Sequence, residues 1–500
     1  MSLPGATTTT PPPAESWPPE APPAPRSRAA VAATAGAAVV AAVALSWDRL
    51  GVGWLLTALA VVAAVLISAY RGSAYGGWSR RAAVRAGGAV AAVALIAVGT
   101  VRAAGWLFAL CVLMAGVVGC ACLTDRWSVA GLLAAPLRVV GSVPAALRRL
   151  VRRAIGAPEQ DRDAFVRTLV AGLIAVALLA VFGFLLAGAD AAFARVLIML
   201  VPSVDGGLSL QWLGSGAAAA VVTAVLAHGV LTGATAPEPR SRLGLVRRVE
   251  WALPVGGLVV LFAGFVAVQA TVLFGGGEHV AKTAGLTYAQ YARAGFWQLL
   301  VVTGLTVIVV GVAAQIAPRS TASDRVLLRT LLGLLSALSL VIVVSALSRM
   351  AAYEQAYGFT RLRLLVTVCE LWLGVVFLLI LVAGIRLRGR WVPQAALAAT
   401  VAALLGLAVL NPDAFIAQQN VKRYLVDHDH QLDLSYLSTL SADAVPALAE
   451  LPQPYRSCVL AALNHQLYGE RRDAWPEWNL GRATARRHLF AFAWHSCPPW

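Results

Sequence analysis

The chain is predicted to be all-α: a polytopic bundle of transmembrane helices with a small helical extramembrane domain after the last of them. Three observations carry this. The mean hydropathy is +0.74 and only 13% of the residues are charged, whereas a soluble domain carries about a quarter. Apolar runs of about twenty residues recur along the chain, long enough to span hydrocarbon. Such runs must be helical, because the backbone has no water to bond with inside a bilayer.

Residues 1–28 are dense in proline, threonine and alanine. They have nothing to bury, which predicts a disordered tail. The tail also lacks the basic start and adjoining apolar stretch of a cleaved signal peptide. It is either a solvated leader or a ligand for a proline-binding protein. Four N-terminal helices follow within 29–122, at 29–46, 50–70, 87–103 and 105–122. The first is mostly alanine and is the weakest of the set. Segment 123–164, with Arg138, Arg148, Arg149, Arg152 and Arg153, reads as a basic interfacial segment on anionic lipid.

A core of about seven helices then fills 165–411, at 165–188, 213–235, 253–275, 296–316, 326–347, 364–385 and 393–411. The total is eleven spans, within bounds of ten and twelve. Residues 412–500 are left as a soluble helical C-terminal domain. There Ser441 is placed to cap a helix over ADAVPALAEL that Pro446 shortens, and further helices are expected over 455–469 and 479–492.

The net charge of +16 does not indicate nucleic acid. The arginines are scattered between apolar runs and form no single basic face, which is the pattern of topology determinants. With the N-terminus cytoplasmic, the inner loops hold about three times the Lys and Arg of the outer ones. The expected location is therefore the cell membrane, multi-pass, with the C-terminal domain extracytoplasmic. One outer loop breaks the rule: SALSRMAAYEQAYGFTRLRL carries Arg349, Arg361 and Arg363.

That loop and the stretch LTYAQYARAGFWQLL fall on the same predicted face. Tyr288 and Tyr291 share a helix face with Arg293 close by, and Arg349, Tyr353 and Tyr357 recur every four residues up to Gly358. Glu354 lies beside that stripe, and Glu370 lies within the tenth span, where a carboxylate is costly. Together with Arg361, these residues form a candidate ligand-binding surface for a polar or anionic molecule. The alternative is plain: tyrosine and arginine also anchor helix ends at membrane interfaces, and Glu370 could be a hydrogen-bonded structural carboxylate.

Other signals are weaker. GGEHVAKT at 276–283 resembles a phosphate loop, but Ala281 stands where a glycine is needed and a helix precedes it instead of a strand. The Asp427–His430 run lacks the further ligands of a metal site, so no metal and no cofactor are expected. Cys120, Cys122 and His228 read as packing residues. Signatures of soluble enzymes are missing, and the chain reads more as a non-enzyme than as a catalyst. In an outer domain Cys458 and Cys497 could form a disulfide, with free thiols the alternative.

The segments FVAVQATVLFGG, LTYAQYARAGFWQLL, SALSRMAAYEQAYGFTRLRL, NPDAFIAQQNV and DLSYLSTLSADAVPALAEL, in that order, resemble a bacterial family of multi-pass membrane proteins. It stands among the domains of unknown function, in the related groups numbered forty-one fifty-three and forty-one seventy-three. The resemblance runs from about 165 to 490 and leaves out the first four spans. It implies a membrane bundle and places the Tyr/Arg loops in the family pattern, but it implies no activity. Three functions fit. The first is transporter- or flippase-like handling of a polar or lipid-linked envelope substrate. The second is a sensor or scaffold that binds a protein partner through the C-terminal domain or the proline-rich tail. The third is a membrane-embedded transferase.

Overall fold

A computed structural model describes residues 28–46, 48–70, 80–124, 248–274, 288–387, 389–426, 432–468 and 473–490. Among these residues there is no strand. The helices are α1 (Arg28–Ala44), α2 (Val52–Tyr70), α3 (Arg80–Val101), α4 (Gly105–Thr124), α5 (Arg248–Phe274), α6 (Tyr288–Ile316), α7 (Ala322–Tyr357), α8 (Arg361–Arg386) and α9 (Val392–Leu410). Beyond these come α10 (Pro412–Val426), α11 (Leu434–Ser438), α12 (Val445–Leu448), α13 (Tyr455–Tyr468) and α14 (Leu480–Phe490). Five helices (α3, α4, α7, α8 and α9) are long and apolar enough to cross a membrane. The described apolar stretches of α1, α2, α5 and α6 are shorter. The proline-rich tail, the basic segment beyond residue 124, the spans expected at 165–188 and 213–235, the 276–283 loop, the Asp427–His430 run and Cys497 lie outside the described residues.

The chain is an all-α helical membrane protein, and its surface has that character. Val260, Val344, Leu371, Leu378 and Val382 face outward from α5, α7 and α8, where water would penalise them and lipid does not. Helices α1 and α2 pair, α2 leans on α3, and α3 pairs with α4. Helix α7 forms the centre of a second group, packed against α5, α6 and α8, and α9 joins α8 to the α3–α4 pair. At 36 residues, α7 is about 54 Å long and overshoots an apolar layer of about 30 Å. Its buried stripe runs from Asp324 through Leu328, Leu335, Ile342 and Met350 to Glu354, at the three-and-four spacing of one helix face.

The helix ends are defined locally. Thr321 and Asp324 form a reciprocal capping box at the start of α7, and Arg248 of α5 binds both Asp324 and, at 2.7 Å, the Thr321 hydroxyl. The N-termini of α5 and α7 therefore lie at one end of the bundle. At the other end, α7 stops at Gly358, whose φ of 79° favours glycine and whose Cβ position is taken by Asn420. The sequence places this stop at the same residue. The stretch from Tyr288 is the first part of α6, continuous with the apolar run.

In the C-terminal segment, α13 and α14 lie where helices are expected. The stretch after Ser441 is shorter than the continuous helix envisaged. A 3-10 turn (Ala442–Ala444) leads into the four-residue α12, with Pro446 in the first turn where its missing N–H is harmless. Ser441 makes no side-chain cap there. The leucines of α11 to α14 share one core with α4, α9 and α10, including Leu437, Leu448, Leu463 and Leu489. The C-terminal segment is thus packed against the helix bundle and not tethered loosely beyond it.

Candidate functional site at the end of the bundle

The turns α1–α2, α3–α4 and α7–α8 all meet the C-terminal segment, which defines a docking end. The α7–α8 turn carries most of the predicted ligand-binding residues. Tyr353 and Tyr357 of α7 meet edge to face with centroids 5.0 Å apart, as their four-residue spacing predicts. Arg349 lies one turn earlier and is half-buried. Arg363 sits with its guanidinium 4.3 Å above the Tyr353 ring and donates to the carbonyls of Tyr357, at 3.0 Å, and Gly358. Arg423 of α10 donates to the Ala356 carbonyl at 2.7 Å. These two arginines satisfy carbonyls that a helix end leaves orphaned, and their charge complements the helix dipole.

Arg361 is paired across the turn with α10. It forms a two-pronged pair with Asp413 at the start of α10, Nε to Oδ1 at 2.8 Å and Nη2 to Oδ2 at 2.6 Å. Its main-chain N–H donates to the Tyr436 hydroxyl at 2.7 Å. Asp413 is 0% exposed and also accepts from the Ser441 N–H at 2.8 Å and the Trp106 indole at 3.2 Å. Burial pushes the Asp413 carboxyl up, but the Arg361 guanidinium and the Ser441 donors outweigh it and hold it below the ordinary carboxylate range. One of the three arginines that break the outer-loop rule is therefore occupied in docking. Tyr288, Tyr291 and Arg293 lie at the start of α6, which runs antiparallel to α7 and so begins at the docking end.

Three further grips fasten the other turns. Asp443 accepts from Ala103 N–H at 2.7 Å and Ala104 N–H at 3.2 Å, just before α4 begins. Burial holds its carboxyl above the ordinary range, despite those donors. Asn479 donates to the carbonyls of Gly99 and Arg102, both at 2.8 Å, at the end of α3. Asp473 pairs with Arg49 at 2.9 Å, Arg482 at 3.1 Å and Arg486 at 2.9 Å, while Arg482 donates to the Leu50 carbonyl at 2.6 Å. Burial raises the Asp473 carboxyl, but the three arginines hold it below the usual range. None of Asp443, Asp473 and Asn479 stands out in the sequence. Their partners on the helical turns lie hundreds of positions away, and only the orientation-rule exception hints that this end is special.

Two carboxylates are left without this kind of pairing. Glu354, at the top of the α7 stripe, is buried and has one carboxylate oxygen with no hydrogen-bond partner; Arg363 and Thr367 lie beside it. Glu370 on α8 is 0% exposed, and neither of its oxygens has a hydrogen-bond partner among the described residues. One turn further along α8, Gly374 lies against Val343 of α7, so this part of α8 faces the apolar middle of α7. Cys458 is disulfide-bonded, whereas Cys111 and Cys369 are free thiols.

A family model described as "Domain of unknown function (DUF4153)" matches residues 90–451. No curated protein and no solved structure matches the chain. The matched region begins within α3 and ends before α13, whereas the sequence resemblance was expected over 165–490. The fold explains the earlier start: α3 and α4 pack against α9 and carry the turn that Asp443 grips, so they are part of the same body. The chain belongs to the DUF4153 family, a domain of unknown function.

Proposed function

We propose that this chain is a transporter- or flippase-like protein of the cell membrane, handling a polar or lipid-linked envelope substrate, with Glu370 as its coupling group. The observation that carries the reading is the wholly buried Glu370, with no hydrogen-bond partner for either oxygen among the described residues. An ionised carboxylate in that setting costs several kcal/mol, so it is stable only with a proton, a cation or a polar ligand upon it. Glu354 offers a second buried carboxylate nearer the docking end.

The N-terminus is assigned to the cytoplasm and the docking end to the outside, on the distribution of arginines. The cysteines support this. Cys458 is disulfide-bonded. Disulfides persist in oxidising compartments outside the cytoplasm. The test is electrical. Proteoliposomes on a solid-supported membrane are given a pH step together with fractions of polar and lipid-linked envelope compounds. Wild-type protein is expected to give a transient current with at least one fraction, and Glu370→Gln none. Equal currents from the two proteins, or none from the wild type with any fraction, would sink the reading.

A further inference from the structure

The C-terminal segment carries a cluster of exposed apolar side chains that its own core does not use. Trp475, Trp478 and Leu480 are 62%, 48% and 41% exposed, within six consecutive positions. The same short stretch is seated on the α1–α2 turn. The Val52 N–H at the start of α2 donates to the Trp478 carbonyl at 3.0 Å, and the Ser46 hydroxyl donates to Glu477 at 3.0 Å. A Cβ on Gly51 would run into the Glu477 main chain, so the turn and the tryptophan stretch touch backbone to backbone. The Asp473 cluster, with Arg49 and Arg482, holds the two from the side.

The height of this stretch relative to the bilayer follows from the turn on which it is seated. Helices α1 and α2 are apolar and pair with each other, joined by the turn between Ala44 and Val52. Placed in hydrocarbon, the two helices put that turn, and Val52 directly after it, at the boundary between hydrocarbon and headgroups. The tryptophan bonded to Val52 lies at that boundary too. Indole rings favour this layer, with an apolar body for the acyl chains and an N–H for the headgroups.

We infer that Trp475, Trp478 and Leu480 form a lipid-binding surface, through which the C-terminal segment rests in the headgroup layer of the leaflet at the docking end. The inference rests on the membrane placement of α1 and α2, not on transport. Its consequence is that the bilayer, as well as the arginine–aspartate joints, holds the C-terminal segment down.

The experiment is depth measurement on the full chain in nanodiscs of mixed neutral and anionic phospholipid. Spin labels are placed singly through Trp475→Cys and Trp478→Cys, with Glu450→Cys as an exposed control away from the stretch. The native cysteines Cys111, Cys120, Cys122 and Cys369 are replaced by alanine or serine. Relaxation by oxygen, which concentrates in lipid, is compared with relaxation by a water-soluble nickel chelate. The oxygen-to-chelate ratio is expected to be several-fold higher at 475 and 478 than at 450. Ratios equal to the control would overturn the inference and assign the stretch to water or to a protein partner. As a check that needs no cysteine, Trp475→Ser with Trp478→Ser should lose part of the fluorescence quenching that brominated lipid imposes on the wild type. Undiminished quenching would count against the surface. Both readouts are independent of substrate movement, so the result stands whatever the fate of the transport reading.

Discussion

Two buried carboxylates illustrate what a side chain's surroundings decide. Asp413 and Glu370 are both fully enclosed, yet Asp413 meets a guanidinium, a main-chain N–H and an indole, and Glu370 meets none of these. Asp413 is therefore a fastening, and removing its partner strands a charge. Arg361→Ala is expected to cost about 3–5 kcal/mol, nearer the lower figure because the arginine is 28% exposed on its outer side. Thermal unfolding in detergent would show this as a lower midpoint; an unchanged midpoint would mean that the pair is idle. Replacing both partners with Met and Leu should recover only part of the loss, because Ser441 and Trp106 would still lack their acceptor. At this scale the sequence was partly legible. The four-residue spacing of Tyr353 and Tyr357 and the stop at Gly358 rest on local geometry, and local geometry is written in neighbouring residues. The pairing of Arg361 with Asp413 is not legible in the sequence, because the two stand 52 positions apart and no periodicity links them.

Among elements, the C-terminal segment is held by acids whose titration has a definite sign. Asp413 and Asp473 have folded-state pKa values below their unfolded ones. Their contribution is complete above the ordinary carboxylate value of about 3.9 and is lost as pH falls through the lower folded values. Asp443 is shifted upward by burial, so protonation favours its folded form and offsets part of that loss. The expected balance, two acids against one, is a loosening of the segment in acid. Pepsin should cut within residues 432–490 faster at pH 2.5 than at pH 4.5, relative to its cutting of an unstructured peptide at the same two values. No relative increase would show that these acids do not govern docking. The helices α13 and α14 were readable from their apolar patterns. The division of 442–448 into a 3-10 turn and a short helix was not, because the Ser441 N–H is drawn to Asp413 rather than capped locally.

For the whole molecule, helix directions are connected by their contacts. The turns α1–α2, α3–α4 and α7–α8 share the docking end, while the pairing of Arg248 with Asp324 places the starts of α5 and α7 at the other. Helix α4 therefore ends at the same end of the bundle as that at which α5 begins. In intact cells, with the native free cysteines removed, Glu450→Cys is expected to react with a membrane-impermeant maleimide and Ser323→Cys only after lysis. The reverse pattern would invert the orientation proposed here, and equal labelling would contradict the separation of the two ends. Composition alone made the membrane class legible; the clustering of joints at one end was not, because it depends on which turns come together.

The clustering has a mechanical consequence. Three helical turns are bolted to one block, and the grips described here are made at their docking ends, so the block acts as a fulcrum. A helix about 30 Å long that tilts by about 5° about such a point moves its free end by about 2.6 Å while the fixed end barely shifts. Glu370 lies nine residues beyond Arg361 in α8, partway along that lever.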